Sequence, residues 1–65
     1  MDDTIGLAAG KVWDFLHTHG GSSASKISQH CALDAKLTQR AIGWLAREDK
    51  ISVTLKGRNE VIQLK

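Results

Sequence analysis

The hydrophobic period of this 65-residue chain changes once, at Asp49. Upstream, apolar residues recur every three or four positions, as on one face of an α-helix. Downstream, in ISVTLKGRNEVIQL, they alternate with polar ones, as on a β-strand. A chain this short has room for one domain, residues 1–65, and buries only about 60% of the surface that its unfolded form exposes. Helices followed by one β-hairpin around a single small core define an α+β fold. Little surface remains for an enclosed cleft, so catalysis is not expected.

Three helices are legible. In TIGLAAGKVWDFLHTHGG, Ile5, Ala8 or Ala9, Val12, and Phe15 or Leu16 form an apolar stripe that Trp13 widens. Thr4 or Asp3 is placed to cap its start, and Gly20 to end it in a left-handed turn. Gly10 weakens this helix by about 1 kcal/mol relative to alanine, which predicts a close backbone approach there. Ser23 reads as the N-cap of a second helix, ASKISQHC, which would bury Ile27 and Cys31. ALDA turns the chain, Asp34 caps, and a third helix runs from about Ala35 to Arg47 or Glu48. Thr38 (through its methyl), Ala41, Ile42 and Leu45 form its inner face. Lys36, Gln39, Arg40, Gly43 and Arg47 lie opposite. The hairpin then turns at KGRN, and a third very short strand is expected near Ser22.

Charge is divided unevenly. Residues 1–20 carry Lys11 against Asp2, Asp3 and Asp14, a balance of −2, whereas residues 21–65 carry eight bases and four acids, a balance of +4. A polyanion is the partner this second segment favours. A single cysteine excludes an internal disulfide framework. No stretch approaches the roughly 18 apolar residues of a membrane span, and the acidic start is unlike a signal segment, so a cytoplasmic protein is expected.

Ser23, Ile27, Ser28, Cys31, Ala32, Leu33, Asp34, Thr38, Ala41 and Leu45 together resemble a helix-turn-helix. Ser28 takes the place of the small residue that lets the second helix cross, and Ala32–Leu33–Asp34 that of the tight turn. Ala32 stands where glycine is commonest, Thr38 where valine or isoleucine is usual, and Ser28 where alanine is common; all three are small. With a helix before it and a hairpin after it, the whole chain is similar to a winged helix domain. IGLAAGKVWDFL and IGWLAREDKI most resemble a family of small stand-alone bacterial and archaeal winged helix-turn-helix proteins of unknown function.

This resemblance makes the helix at about 35–48 a recognition helix and double-stranded DNA the expected partner. Lys36, Gln39 and Arg40 would face the major groove, where arginine bonds guanine bidentately, glutamine bonds adenine, and lysine neutralises phosphate. Gly43 would admit a sugar–phosphate backbone. Lys56 and Arg58 at the wing tip, and Lys26 with Ser22 or Ser23 at the start of helix two, would anchor phosphates. The alternative is a protein–protein interaction module without DNA binding, since winged helices serve both roles.

The other chemistry-bearing residues point to no site. Trp13 and Trp44 stand beside apolar stripe positions and read as core or interface residues rather than as a platform for single-stranded bases. His17 and His19 fall on different helix faces, and His30 and Cys31 diverge, so no metal or other cofactor is expected. Cys31 reads as a small buried hydrophobe. Arg47 has Glu48 and Asp49 as available ion-pair partners. Nothing joins a nucleophile to a base and an orienting acid. The acidic first helix, with Trp13, is the candidate face for a homodimer.

Overall fold

Helix starts and stops follow from single residues. The computed structural model describes residues 4–65. It comprises α1 (Thr4–His19), α2 (Ala24–Cys31) and α3 (Ala35–Arg47), then β1 (Ile51–Lys56) and β2 (Asn59–Leu64). Ser23 caps α2, its Oγ accepting the Lys26 N–H at 3.2 Å. Asp34 caps α3 in the same way, its Oδ1 accepting the Leu37 N–H at 2.7 Å. Each interaction satisfies an N–H that the first helical turn leaves unpaired. Gly20 (φ +80°) ends α1, with its N–H on the Leu16 carbonyl at 2.9 Å. Asp3, the other expected cap of α1, lies outside the described residues.

The turn between α2 and α3 is closed by Ala32 in the left-handed region (φ 54°, ψ 41°), where glycine is the commoner residue. Next to it, the Leu33 N–H bonds the Ser28 carbonyl at 3.1 Å. The Ser28 hydroxyl donates back to the Leu33 carbonyl at 2.6 Å. These reciprocal bonds fix the angle at which α3 leaves α2.

Ala8, Ala9, Val12, Phe15 and Leu16 of α1, Ile27 of α2, and Ala41, Ile42 and Leu45 of α3 form the core, closed by Ile51 and Ile62 of the hairpin. Thr38 belongs to it as expected: its hydroxyl donates to the Asp34 carbonyl at 2.8 Å, leaving the methyl to pack. Ile27, Ile62 and Val12 are almost wholly excluded from water, and each stabilises the fold by about 1.5–3 kcal/mol.

β1 and β2 pair antiparallel from Ile51↔Leu64 to Lys56↔Asn59. Gly57 and Arg58 make the turn, and Gly57 (φ +63°) takes the positive φ that a two-residue hairpin of type II′ needs first. The short third strand is a single bridging residue: Ser22 and Ile62 exchange N–H···O bonds of 2.9 and 2.8 Å. That contact ties the α1–α2 connection to the wing.

Three sequence readings change, and the hairpin reading is refined. Gly10 meets nothing within 4 Å of where a Cβ would stand; the close approach occurs at Gly21, whose Cβ would lie 2.9 Å from Val61 Cγ1. Cys31 is only partly buried, because α2 ends there at the rim of the core. The hairpin alternates as expected, yet only its root reaches the core, so Val53 and Leu55 are exposed. Arg47 pairs with neither Glu48 nor Asp49 among the described residues, since Asp49 pairs with Lys65 instead.

Candidate nucleic-acid interface

With Thr38, Ala41, Ile42 and Leu45 turned inward, the 3.6-residue turn places Lys36, Arg40, Gly43 and Arg47 within about 60° of one another on the opposite side of α3. All four are exposed, as is Gln39 at the edge of the stripe. From Lys36 to Arg47 the stripe runs about 16 Å along the helix axis. Gln39 also borders an open groove between α2 and α3, about 420 Å³ in volume, shared with Ser25, Ser28, Gln29 and Thr38. Hydroxyl and amide groups along it can both donate and accept hydrogen bonds. Lys26, exposed on the first turn of α2, stands next to Ser25 in the chain. Ser22 cannot serve as the phosphate contact expected of it: it is buried, its N–H and carbonyl are both bonded to Ile62, and its Oγ donates to the Gly20 carbonyl at 3.2 Å.

Lys56 and Arg58 sit at the tip of the hairpin, the end farthest from Ile51 and Leu64, and both are exposed. Gly43 has open space where its Cβ would be. A glycine in mid-helix weakens it by about 1 kcal/mol relative to alanine, and no neighbour within the chain requires that here.

Of the two roles expected for the tryptophans, core or interface, full enclosure in the core is not what the structure shows. Trp13 and Trp44 are 37% and 39% exposed. They flank an open groove of about 300 Å³ between α1 and α3, with Ala9, Gly10, Asp14 and Lys50. Each is the chain neighbour of a buried residue, Val12 or Leu45, at the edge of its helix's buried stripe. Trp13 stacks on His17, with ring centroids 5.0 Å apart at 12°.

The histidines split as their spacing implied for α1. The structure also makes a contact that the spacing did not reveal: His19 and His30 meet over Phe15, at centroid distances of 4.6 Å (Phe15–His19), 4.9 Å (Phe15–His30) and 5.3 Å (His19–His30). Among the described residues, no three His, Cys, Asp or Glu side chains are grouped to hold a metal ion. Burial pushes the Cys31 thiol above the ordinary thiol range, with Lys11 acting the other way, and its S–H donates to the Lys11 carbonyl at 3.6 Å. No helix among the described residues is long and apolar enough to cross a membrane.

Three helices, a tight turn and a terminal two-stranded wing define a winged helix-turn-helix protein. Residues 1–64 match the winged helix-turn-helix domain family DUF2582, and the chain belongs to it. An uncharacterized protein of the archaeon Methanocaldococcus jannaschii is 42% identical over 65 residues, 94% of this chain and 90% of its own. The solution structure of protein BT2368 from Bacteroides thetaiotaomicron has a TM-score of 0.88 at 34% identity, covering 94% of this chain and 74% of that one. The Zalpha domain of Carassius auratus PKZ, solved in complex with Z-DNA, shares the fold at TM-score 0.85 and 24% identity, covering 97% of this chain and all of its own.

Proposed function

We propose that this protein binds double-stranded DNA, with α3 in the groove and the wing on the backbone, in the manner of a small transcriptional regulator rather than an enzyme. The observation that carries the reading is the placement of Lys36, Gln39, Arg40 and Gly43 on the solvent side of the helix that follows the tight turn. Lys56 and Arg58 extend the positive charge to the wing, and Lys26 adds a phosphate anchor at α2. The Zalpha–Z-DNA complex supports the choice of ligand by analogy of fold. A cytoplasmic location accompanies this role.

A titration of the protein with a mixed-sequence duplex and an alternating CG duplex tests the reading. Affinity that falls steeply between about 50 and 200 mM salt is expected, because each neutralised phosphate contributes about 0.9 to the logarithmic salt slope. Absence of binding to both duplexes at the lower salt would overturn it.

The half-exposed Trp13 and Trp44 favour one further contact, with protein. Our reading includes a homodimer through α1, where Ile5 and Trp13 lie within about 80° of each other around the helix and are each more than a third exposed. Sedimentation equilibrium at high concentration should show a dimer that Trp13→Ala weakens, whereas a clean monomer contradicts it. The same groove would receive the partner if the protein is an interaction module without DNA affinity.

A further inference from the structure

We propose that His19 and His30 form a two-histidine site for a transition-metal ion of the zinc type, bridging the last turn of α1 to the last turn of α2. The proposal is independent of the DNA reading and uses none of the residues that carry it. Spacing along the chain set these histidines apart; the fold brings them together.

The ring separation suits a chelate. The ring centres of His19 and His30 lie 5.3 Å apart. Two imidazoles on one tetrahedral zinc, each nitrogen about 2.0–2.1 Å from the metal, put their ring centres roughly 5 Å apart. Both rings lie over Phe15, at 4.6 and 4.9 Å from its centre, so the three rings make a near-equilateral triangle with both imidazoles on one platform. Phe15 is buried in the core, which fixes that platform. Rotation about the Cβ–Cγ bond of histidine is soft, so small ring turns bring one nitrogen of each to a shared ion. Both histidines are exposed, and neither makes an ion pair among the described residues.

The surroundings select the kind of ion. The pair borders an open depression of about 360 Å³ shared with Lys11, Asp14, Phe15 and Cys31. Lys11 and Asp14 offset each other in charge, so no net negative charge draws a cation there. Binding falls to the imidazole lone pairs, which suit zinc, copper and nickel; the hard magnesium and calcium ions need oxygen ligands instead. Among the described residues no third His, Cys, Asp or Glu completes the set, so water fills the remaining positions of the bound ion and the site stays open at the surface. An ion held there ties α1 to α2 only in the folded chain, so it stabilises the fold. His17 is the internal contrast, since its ring stacks on Trp13, with centroids 5.0 Å apart.

Thermal unfolding of the chain, free of any affinity tag, in about 1 mM Zn²⁺ against the same protein in EDTA tests the site. Wild type should gain about 4–8 °C in Tm, as a chain of this size does when the ion stands at about five times its dissociation constant. His19→Gln and His30→Gln should each lose that gain, and His17→Gln should keep it. Each variant is compared with itself in EDTA, so a changed baseline stability does not disturb the comparison. Mg²⁺ should leave every Tm unchanged. NMR of the labelled wild type supplies a second measurement that needs no variant: on adding Zn²⁺, the ring signals of His19 and His30 should shift together while those of His17 stay. The site is overturned by no gain in wild type, by an undiminished gain in His19→Gln or His30→Gln, by the same gain from Mg²⁺, or by ring shifts at only one of the two histidines.

Discussion

The Ser28 hydroxyl donates to the carbonyl of Leu33 across the α2–α3 turn at 2.6 Å. The bond joins the body of one helix to the segment that launches the next, so it sets the direction of the face carrying Lys36 and Arg40. Ser28→Ala leaves a part-buried carbonyl without its partner. A loss of about 1 kcal/mol in urea-unfolding free energy is expected, equivalent to about 4–8 °C in Tm for a chain of this size. An unchanged Tm would show that the turn is held without this bond.

Ala32 occupies a left-handed conformation that L-residues other than glycine adopt at a cost. Ala32→Gly relieves the Cβ–carbonyl crowding, partly offset by the greater freedom of glycine in the unfolded chain. Chemical denaturation should show a gain of about 0.5–1 kcal/mol. A loss would mean that the alanine methyl contributes packing that its exposed position does not suggest.

Ile62 is 1% exposed and its backbone bridges to Ser22. Ile62→Ala removes buried methyl groups where the wing root, the core and the α1–α2 connection meet. The expected cost is about 2–5 kcal/mol, a large fraction of the marginal stability of a domain this small. Circular dichroism should show partial unfolding or a sharply lowered Tm. Leu55→Ala, near the exposed wing tip, should change Tm little.

Cys31 gives a prediction in pH. Burial raises its pKa in the folded state, with Lys11 opposing, so the folded thiol stays neutral to a higher pH than the unfolded one. Its contribution to stability is complete below the unfolded value and fades as pH climbs through the folded one. Alkylation by iodoacetamide should be slower in the folded protein than in urea at mildly alkaline pH, because the thiolate is the nucleophile. Equal rates would contradict the raised pKa.

The fold was legible because local signals agree along the chain. Ser23, Asp34 and Gly20 mark helix ends through their own hydrogen-bonding and backbone chemistry, and the change of period at Asp49 separates helix from hairpin. The outer face of α3 was legible for the same reason, since periodicity that identifies Thr38, Ala41, Ile42 and Leu45 as inner assigns Lys36, Arg40, Gly43 and Arg47 to the outside. Pairwise tertiary choices were not. Spacing alone does not tell that Asp49 selects Lys65 over Arg47, that Gly21 rather than Gly10 meets another element, or that the backbone of Ser22 is taken up by β2. Trp13 and Trp44 were half-legible: being next to an apolar stripe predicts contact with the core, whereas the degree of enclosure depends on the neighbouring helix.

The most direct test of the central claim is an NMR titration of the isotopically labelled protein with a short mixed-sequence duplex at about 50 and about 200 mM salt, where the contrast isolates phosphate contacts. The account predicts that amide shifts cluster at Lys36, Gln39, Arg40 and Gly43, with a second group at Lys56–Arg58, and that both shrink at the higher salt. Shifts confined to α1, or none at either salt, would contradict DNA binding by α3 and the wing.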